Sequence, residues 1–165
     1  VDLSMMEISN QGATMSTNIA SMKPERGENH GAAGVPALRY LVPAGRALFA
    51  AIFLTAGLTH FSSTPIDYAT QMGLPFAWLM VPLSGVIALA GGLSIVLGYR
   101  ARLGAGLIIL FLVPVTVTMH AFWKIEDPMM AQIDQAMFMK NVSILGGALL
   151  IAYFGAGPVS LDERR

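Results

Sequence analysis

Residues 76–123 read FAWLMVPLSGVIALAGGLSIVLGYRARLGAGLIILFLVPVTVTMHAFW, and the only Lys, Arg, Asp or Glu among them, Arg100 and Arg102, fall in one short break. The apolar runs on either side are each close to the ~20 residues that a helix needs to cross a ~30 Å hydrocarbon core. Five residues, Gly98-Tyr99-Arg100-Ala101-Arg102, permit only a tight turn between them, which makes the two helices antiparallel neighbours. Two further runs, near residues 43–61 and 137–157, complete the set, with the inner pair spanning 76–97 and 103–123. The fold class expected is therefore all-α, a polytopic membrane protein built as an antiparallel bundle of four transmembrane helices. Its main partner is the lipid bilayer.

Composition agrees with a membrane protein. Hydrophobic residues make up 55% of the 165-residue chain and charged ones 12%, with a mean hydropathy of +0.62. Ten basic residues balance ten acidic ones, so no global field favours nucleic acid. Cysteine is absent, which excludes disulfides, covalently attached c-type haem and cysteine-held iron–sulfur clusters. Residues 1–42 are rich in Ser, Asn, Gly, Met and charge and lack an apolar run long enough for a signal peptide. They read as a disordered cytoplasmic tail, with Met15 as a candidate start, and 158–165 as a second cytoplasmic tail.

Orientation follows from the basic residues, because loops kept in the cytoplasm are enriched in them. Lys23, Arg26, Arg39, Arg46, Arg100, Arg102, Arg164 and Arg165 fall on one side, against Lys124 and Lys140 on the other. Both termini are expected in the cytoplasm of a bacterial inner-membrane protein, with the 62–75 and 124–136 connections outside. Ser62-Ser63-Thr64-Pro65 reads as a run of turn formers, and Pro82 and Pro114 as bends. Small residues four apart mark contact faces in lipid: Ala47 and Ala51, then Ser84, Ala88 and Gly92, then Ala148, Ala152 and Ala156.

Polar residues inside the spans gather at the outer leaflet. His60 ends the first helix, His120 ends the third, and Lys140 with Asn141 begins the fourth, with Thr116 one turn below His120. Ionisable groups are costly in a membrane, so His60, His120 and Lys140 are the candidate catalytic residues and Asn141, Thr116, Phe122 and Trp123 candidate cofactor contacts. Phe61, Trp78 and Phe138 would add aromatic walls. The plain alternative is a snorkelling Lys, wetted His side chains and an aromatic belt. A quinone head group, needing donors for two carbonyl oxygens beside aromatic walls, fits this depth better than a b-type haem, whose axial ligands would sit deeper. Outer-side methionines such as Met119 and Met137 could favour Cu(I), but no tight Met or His run supports a metal. Arg46 reads as a helix anchor to lipid phosphates.

Several short segments resemble the DoxX family of small four-helix membrane proteins over roughly residues 44–162. They are Arg46 with Gly57-Leu58-Thr59-His60-Phe61, Gly91-Gly92 leading to Gly98-Tyr99-Arg100, His120-Ala121-Phe122-Trp123, Phe138-Met139-Lys140-Asn141, and Gly155-Ala156-Gly157-Pro158. Where that family often has an acidic residue before the paired glycines, this chain has Ser84, Ile87 and Ala88. The resemblance implies a membrane subunit of a quinone-linked oxidoreductase, with quinone as cofactor and a redox partner subunit or homo-oligomer as assembly. The alternative it carries is a non-catalytic scaffold or assembly subunit of a redox or stress-response complex.

Overall fold

The computed structural model describes residues 36–164, and the tail expected over 1–42 lies outside them up to residue 35. A 3₁₀ turn, Pro36–Tyr40, leads into α1 (Leu41–Thr59), followed by a short α2 (Ser63–Gln71), α3 (Ala77–Leu97), α4 (Ala101–Met119), a second 3₁₀ turn (Phe122–Lys124) and α5 (Pro128–Phe154). No strand occurs among the described residues. Four segments are long and apolar enough to span a membrane: Ala37–Thr59, Ala77–Leu97, Ala101–Lys124 and Pro128–Phe154. The protein is a multi-pass membrane protein. Its largest apolar side chains show which solvent it meets, since Leu48 is 80% exposed, Leu58 65% and Phe154 71%. Such a surface would be inverted in water and is ordinary against lipid tails.

Two boundaries differ from expectation. The turn formers after α1 open a helix instead of a loop: Ser62 takes an extended N-cap conformation, and Pro65 sits in the first turn of α2, where its missing N–H costs nothing. α2 then buries Ala69 against Ala77 and Val81 of α3. The fourth span starts at Pro128, where Asp127 caps it by accepting from Met130 N–H at 2.8 Å. Gln132, Asp134 and Gln135 hide this start from a hydropathy reading, because the helix extends beyond the apolar zone. Lys140 is consequently well inside the helix and does not begin it.

Helix contacts run in chain order, α1 on α3, α3 on α4 and α4 on α5. Phe49 of α1 lies against Gly147 of α5. Two crossings rest on glycine pairs. A Cβ on Gly85 would stand 2.9 Å from the carbonyl oxygen of Gly57, and one on Gly91 would stand 3.0 Å from that of Gly104. Backbones this close provide the dispersion contact that replaces the hydrophobic effect between helices in lipid. Ala50, Phe53, Ala88, Ile95, Ala105, Ile108, Phe111, Leu112 and Ala148 fill the centre. The expected stripes on α3 and α5 meet this core at Ala88, Gly92 and Ala148. On α1 the expected stripe is wrong by one residue, since Ala47 and Ala51 are exposed and the buried face is Arg46, Ala50, Phe53 and Gly57. One residue is about 100° of helix, enough to turn a face from protein to lipid.

Candidate functional site: an apolar cavity closed by His60

α1 ends at His60, whose N–H still bonds to Ala56 carbonyl oxygen, so the imidazole stands where α1 meets α3. Its Nδ1 lies 3.0 Å from Ser84 Oγ, and Ser84 Oγ lies 2.7 Å from the Val81 carbonyl oxygen. A serine hydroxyl has one proton, and here the Val81 carbonyl takes it. With the serine proton on Val81, Ser84 Oγ accepts from His60 Nδ1, and in that arrangement neutral His60 is the Nδ1–H tautomer with Nε2 as an acceptor. The ring is half-buried and tilts against Phe111 with 5.8 Å between centroids.

His60 and Ser84 form the polar corner of a cavity of about 390 Å³ between α1, α2, α3 and α4. The remaining wall is almost wholly apolar and includes Val81, Ile87, Phe111 and Val115. Met80, Leu83 and Leu110 line it too and are exposed on the outer surface of the bundle, so the cavity communicates with the hydrocarbon side. Its volume falls in the ~300–1,000 Å³ range of small-molecule pockets.

The other expected site residues are elsewhere. His120 follows α4, and its Nδ1 pairs with Asp134 Oδ1 of α5 at 2.8 Å, a partly exposed contact tying the end of α4 to the last helix. Phe122, Trp123 and Phe138 form an edge-to-face trio there, with centroids 5.1 to 5.8 Å apart. Thr116 is buried but spends its hydroxyl on Leu112 carbonyl oxygen. Lys140 is exposed, with Nζ 3.5 Å from Met137 Sδ, while the adjacent Asn141 is buried. Phe61 packs over Gly85, and Trp78 is 68% exposed. None of His120, Lys140, Asn141, Thr116, Phe122 or Trp123 lines the His60 cavity. The single outward pocket expected from depth alone is thus two separate places, because depth fixes height along the bundle and not direction around it.

At the opposite end Arg46 is buried, and its guanidinium donates to the carbonyl oxygens of Ala156 and Val159, both at 2.6 Å. It fastens the segment after α5 instead of reaching lipid phosphates. Ser84 and Asp134, the two partners of the histidines, are not identified as such by the sequence, in which Ser84 stands out only as a small packing residue.

The family model described as the SURF4 family matches residues 11–165. The chain belongs to the SURF4 family. It is similar to inner membrane protein YqjF of Escherichia coli (strain K12), 32% identical over 121 residues, which cover 72% of this chain and 86% of that protein. It is also similar to the Surfeit locus protein 4 homolog of Schizosaccharomyces pombe (strain 972 / ATCC 24843), 28% identical over 141 residues, 81% of this chain and 42% of that one. The ER-derived vesicles protein ERV29 of Saccharomyces cerevisiae (strain ATCC 204508 / S288c) is 28% identical over 80 residues, 48% and 26%. The chain thus spans less than half of these two eukaryotic relatives. No solved structure matches it significantly.

SURF4 membership corrects the DoxX resemblance, and the quinone-linked oxidoreductase and redox-complex readings fall with it. The physical reason is visible in the markers. Gly91 serves a helix crossing, Gly98 caps α3 with φ +61°, and Gly155 ends α5 with φ +83°. These are generic needs of short, tightly packed spans, shared by unrelated bundles.

Proposed function

We propose that this SURF4-family protein is a binding protein of the bacterial inner membrane, with both ends of the chain on the cytoplasmic side. It takes from the bilayer a lipid-soluble ligand carrying one hydroxyl-like donor. The His60–Ser84–Val81 relay carries this reading, because it places an acceptor at the polar corner of a largely apolar cavity. The ligand's hydroxyl donates to His60 Nε2 while its chain lies along Ile87, Phe111 and Val115. Access is lateral, past Leu83 and Leu110. The inner-membrane placement is supported by the bacterial relative, named an inner membrane protein, and the orientation by the arginines gathered at the Arg46 end. The relatives' names give a membrane of residence, inner membrane or ER-derived vesicle, and a residence fits holding a ligand.

A diazirine-bearing long-chain alcohol and its methyl ether, photolysed in membrane vesicles and mapped by mass spectrometry, test this. The alcohol is expected to label Phe111, Val115 and Met80, and the ether to label them roughly 3- to 10-fold less, the worth of one hydrogen bond. His60→Phe should erase the difference, and Ile87→Trp, which fills the cavity, should abolish both. Equal labelling by the two probes, unchanged by either substitution, would overturn the proposal.

A further inference from the structure

The Arg46 end holds a second cavity, of about 480 Å³, lined by Arg100, Arg102, Leu103, Phe154, Gly155, Ala156 and Asp162. Two arginines and one aspartate line it, but their roles differ. The Asp162 carboxylate is committed to the start of α4, accepting from Arg100 N–H at 2.7 Å and Ala101 N–H at 3.0 Å. The acid and the positive end of that helix thereby satisfy each other. Neither the Arg100 nor the Arg102 guanidinium joins an ion pair or donates a hydrogen bond among the described residues, although Arg100 lies 5.9 Å from the Tyr99 ring centroid.

Their placement is held by the backbone. Arg102 Nε would be 3.4 Å from a Cβ on Gly155, so its guanidinium rests on a chain bend that has φ +83° and no side chain. Arg100 itself stands in the left-handed region at φ +48°, which is unfavourable for a non-glycine residue and is sustained here by its N–H bond to Asp162. Both lie where α4 begins and α5 ends, at one end of the candidate spans. Beside them, Leu103 is 63% and Phe154 71% exposed, an apolar flank running into the spans.

We propose that this cavity binds the phosphodiester of an anionic phospholipid, with Arg100 and Arg102 on the phosphate oxygens and an acyl chain along Leu103 and Phe154. Two planar guanidiniums match a phosphate bidentately, and a basic pocket between helix ends at a membrane surface suits a lipid head group. Free phosphate shares the polar chemistry but has no use for the apolar flank.

Native mass spectrometry of the detergent-purified protein tests this with three probes, phosphatidylglycerol, phosphatidylcholine and inorganic phosphate. Phosphatidylglycerol should be retained selectively, and Arg100→Gln with Arg102→Gln should weaken retention roughly 25-fold, the effect of two basic contacts. Arg102→Lys, which keeps the charge and loses the fork, should fall between. Lys124→Gln, at the other end, should change nothing. Unfolding temperatures show that the variants compared are folded, and Arg102→Lys alone carries the comparison if the double variant is not. Three results overturn the proposal: retention unaffected by the substitutions, equal retention of phosphatidylcholine, or inorganic phosphate binding without phosphatidylglycerol.

Discussion

Arg46 shows how far a single residue departs from its reading in the sequence. A basic residue near a helix start normally points to lipid phosphates, which is the role its position suggests. Here it turns inward, because the chain after α5 presents two carbonyl oxygens, of Ala156 and Val159, that no helix satisfies. Arg46→Met should therefore cost roughly 2–4 kcal/mol, the loss of two charge-assisted bonds and the stranding of their acceptors. Arg46→Lys should cost less, since an ammonium can serve one carbonyl well. Reversible unfolding in mixed micelles measures both, and a loss below about 0.5 kcal/mol would mean that water reaches those carbonyls. The histidines are legible in the sequence as polar residues at helix ends. Their partners are not: Ser84 is 24 residues from His60 and Asp134 is 14 from His120, and pairings of this kind depend on helix rotation.

At the scale of the element, hydropathy locates the four spanning helices because each is long and nearly free of charge, whereas α2 and the start of α5 escape it. Both begin with residues that can end one helix or open the next, Ser62 to Pro65 and Asp127-Pro128, and the packing of the downstream residues decides between the two. Helix faces are the other weak point, as Ala47 and Ala51 show. The glycine pairs make the true faces testable. Gly91→Ala would drive a Cβ to 3.0 Å from Gly104 carbonyl oxygen and 2.8 Å from Ile108 Cδ1, while Gly106→Ala meets nothing within 4 Å. The first should destabilise the bundle by about 1–3 kcal/mol, through overpacking at a backbone crossing. The second should be neutral or stabilising by up to about 1 kcal/mol, the propensity gain of Ala over Gly. Micelle unfolding of the pair separates the two, and equal effects would show that the α3–α4 crossing is looser than its geometry.

In the molecule as a whole, the two ends of the bundle are built for different tasks. At the arginine end one chain segment fastens every span: Ala156 and Val159 hold Arg46 of α1, Leu161 and Asp162 donate their N–H groups to Leu97 and Gly98 at the end of α3, and the Asp162 carboxylate caps α4. At the histidine end there are two separate side-chain contacts, His60 with Ser84 at the cavity and His120 with Asp134 away from it. Opening for a bilayer ligand should thus occur at the histidine end while the arginine end stays shut. Asp162→Asn tests the division, since an amide has one acceptor oxygen and no charge for two N–H groups. It should cost α4 about 1 kcal/mol, seen as a roughly 5-fold faster hydrogen exchange at the Arg100 and Ala101 amides. Ser84→Ala should leave those amides unchanged and speed exchange around His60 and Phe61. If either substitution instead accelerates exchange at both ends equally, the bundle opens as one unit, and lateral entry at the His60 cavity would require the whole fold to loosen.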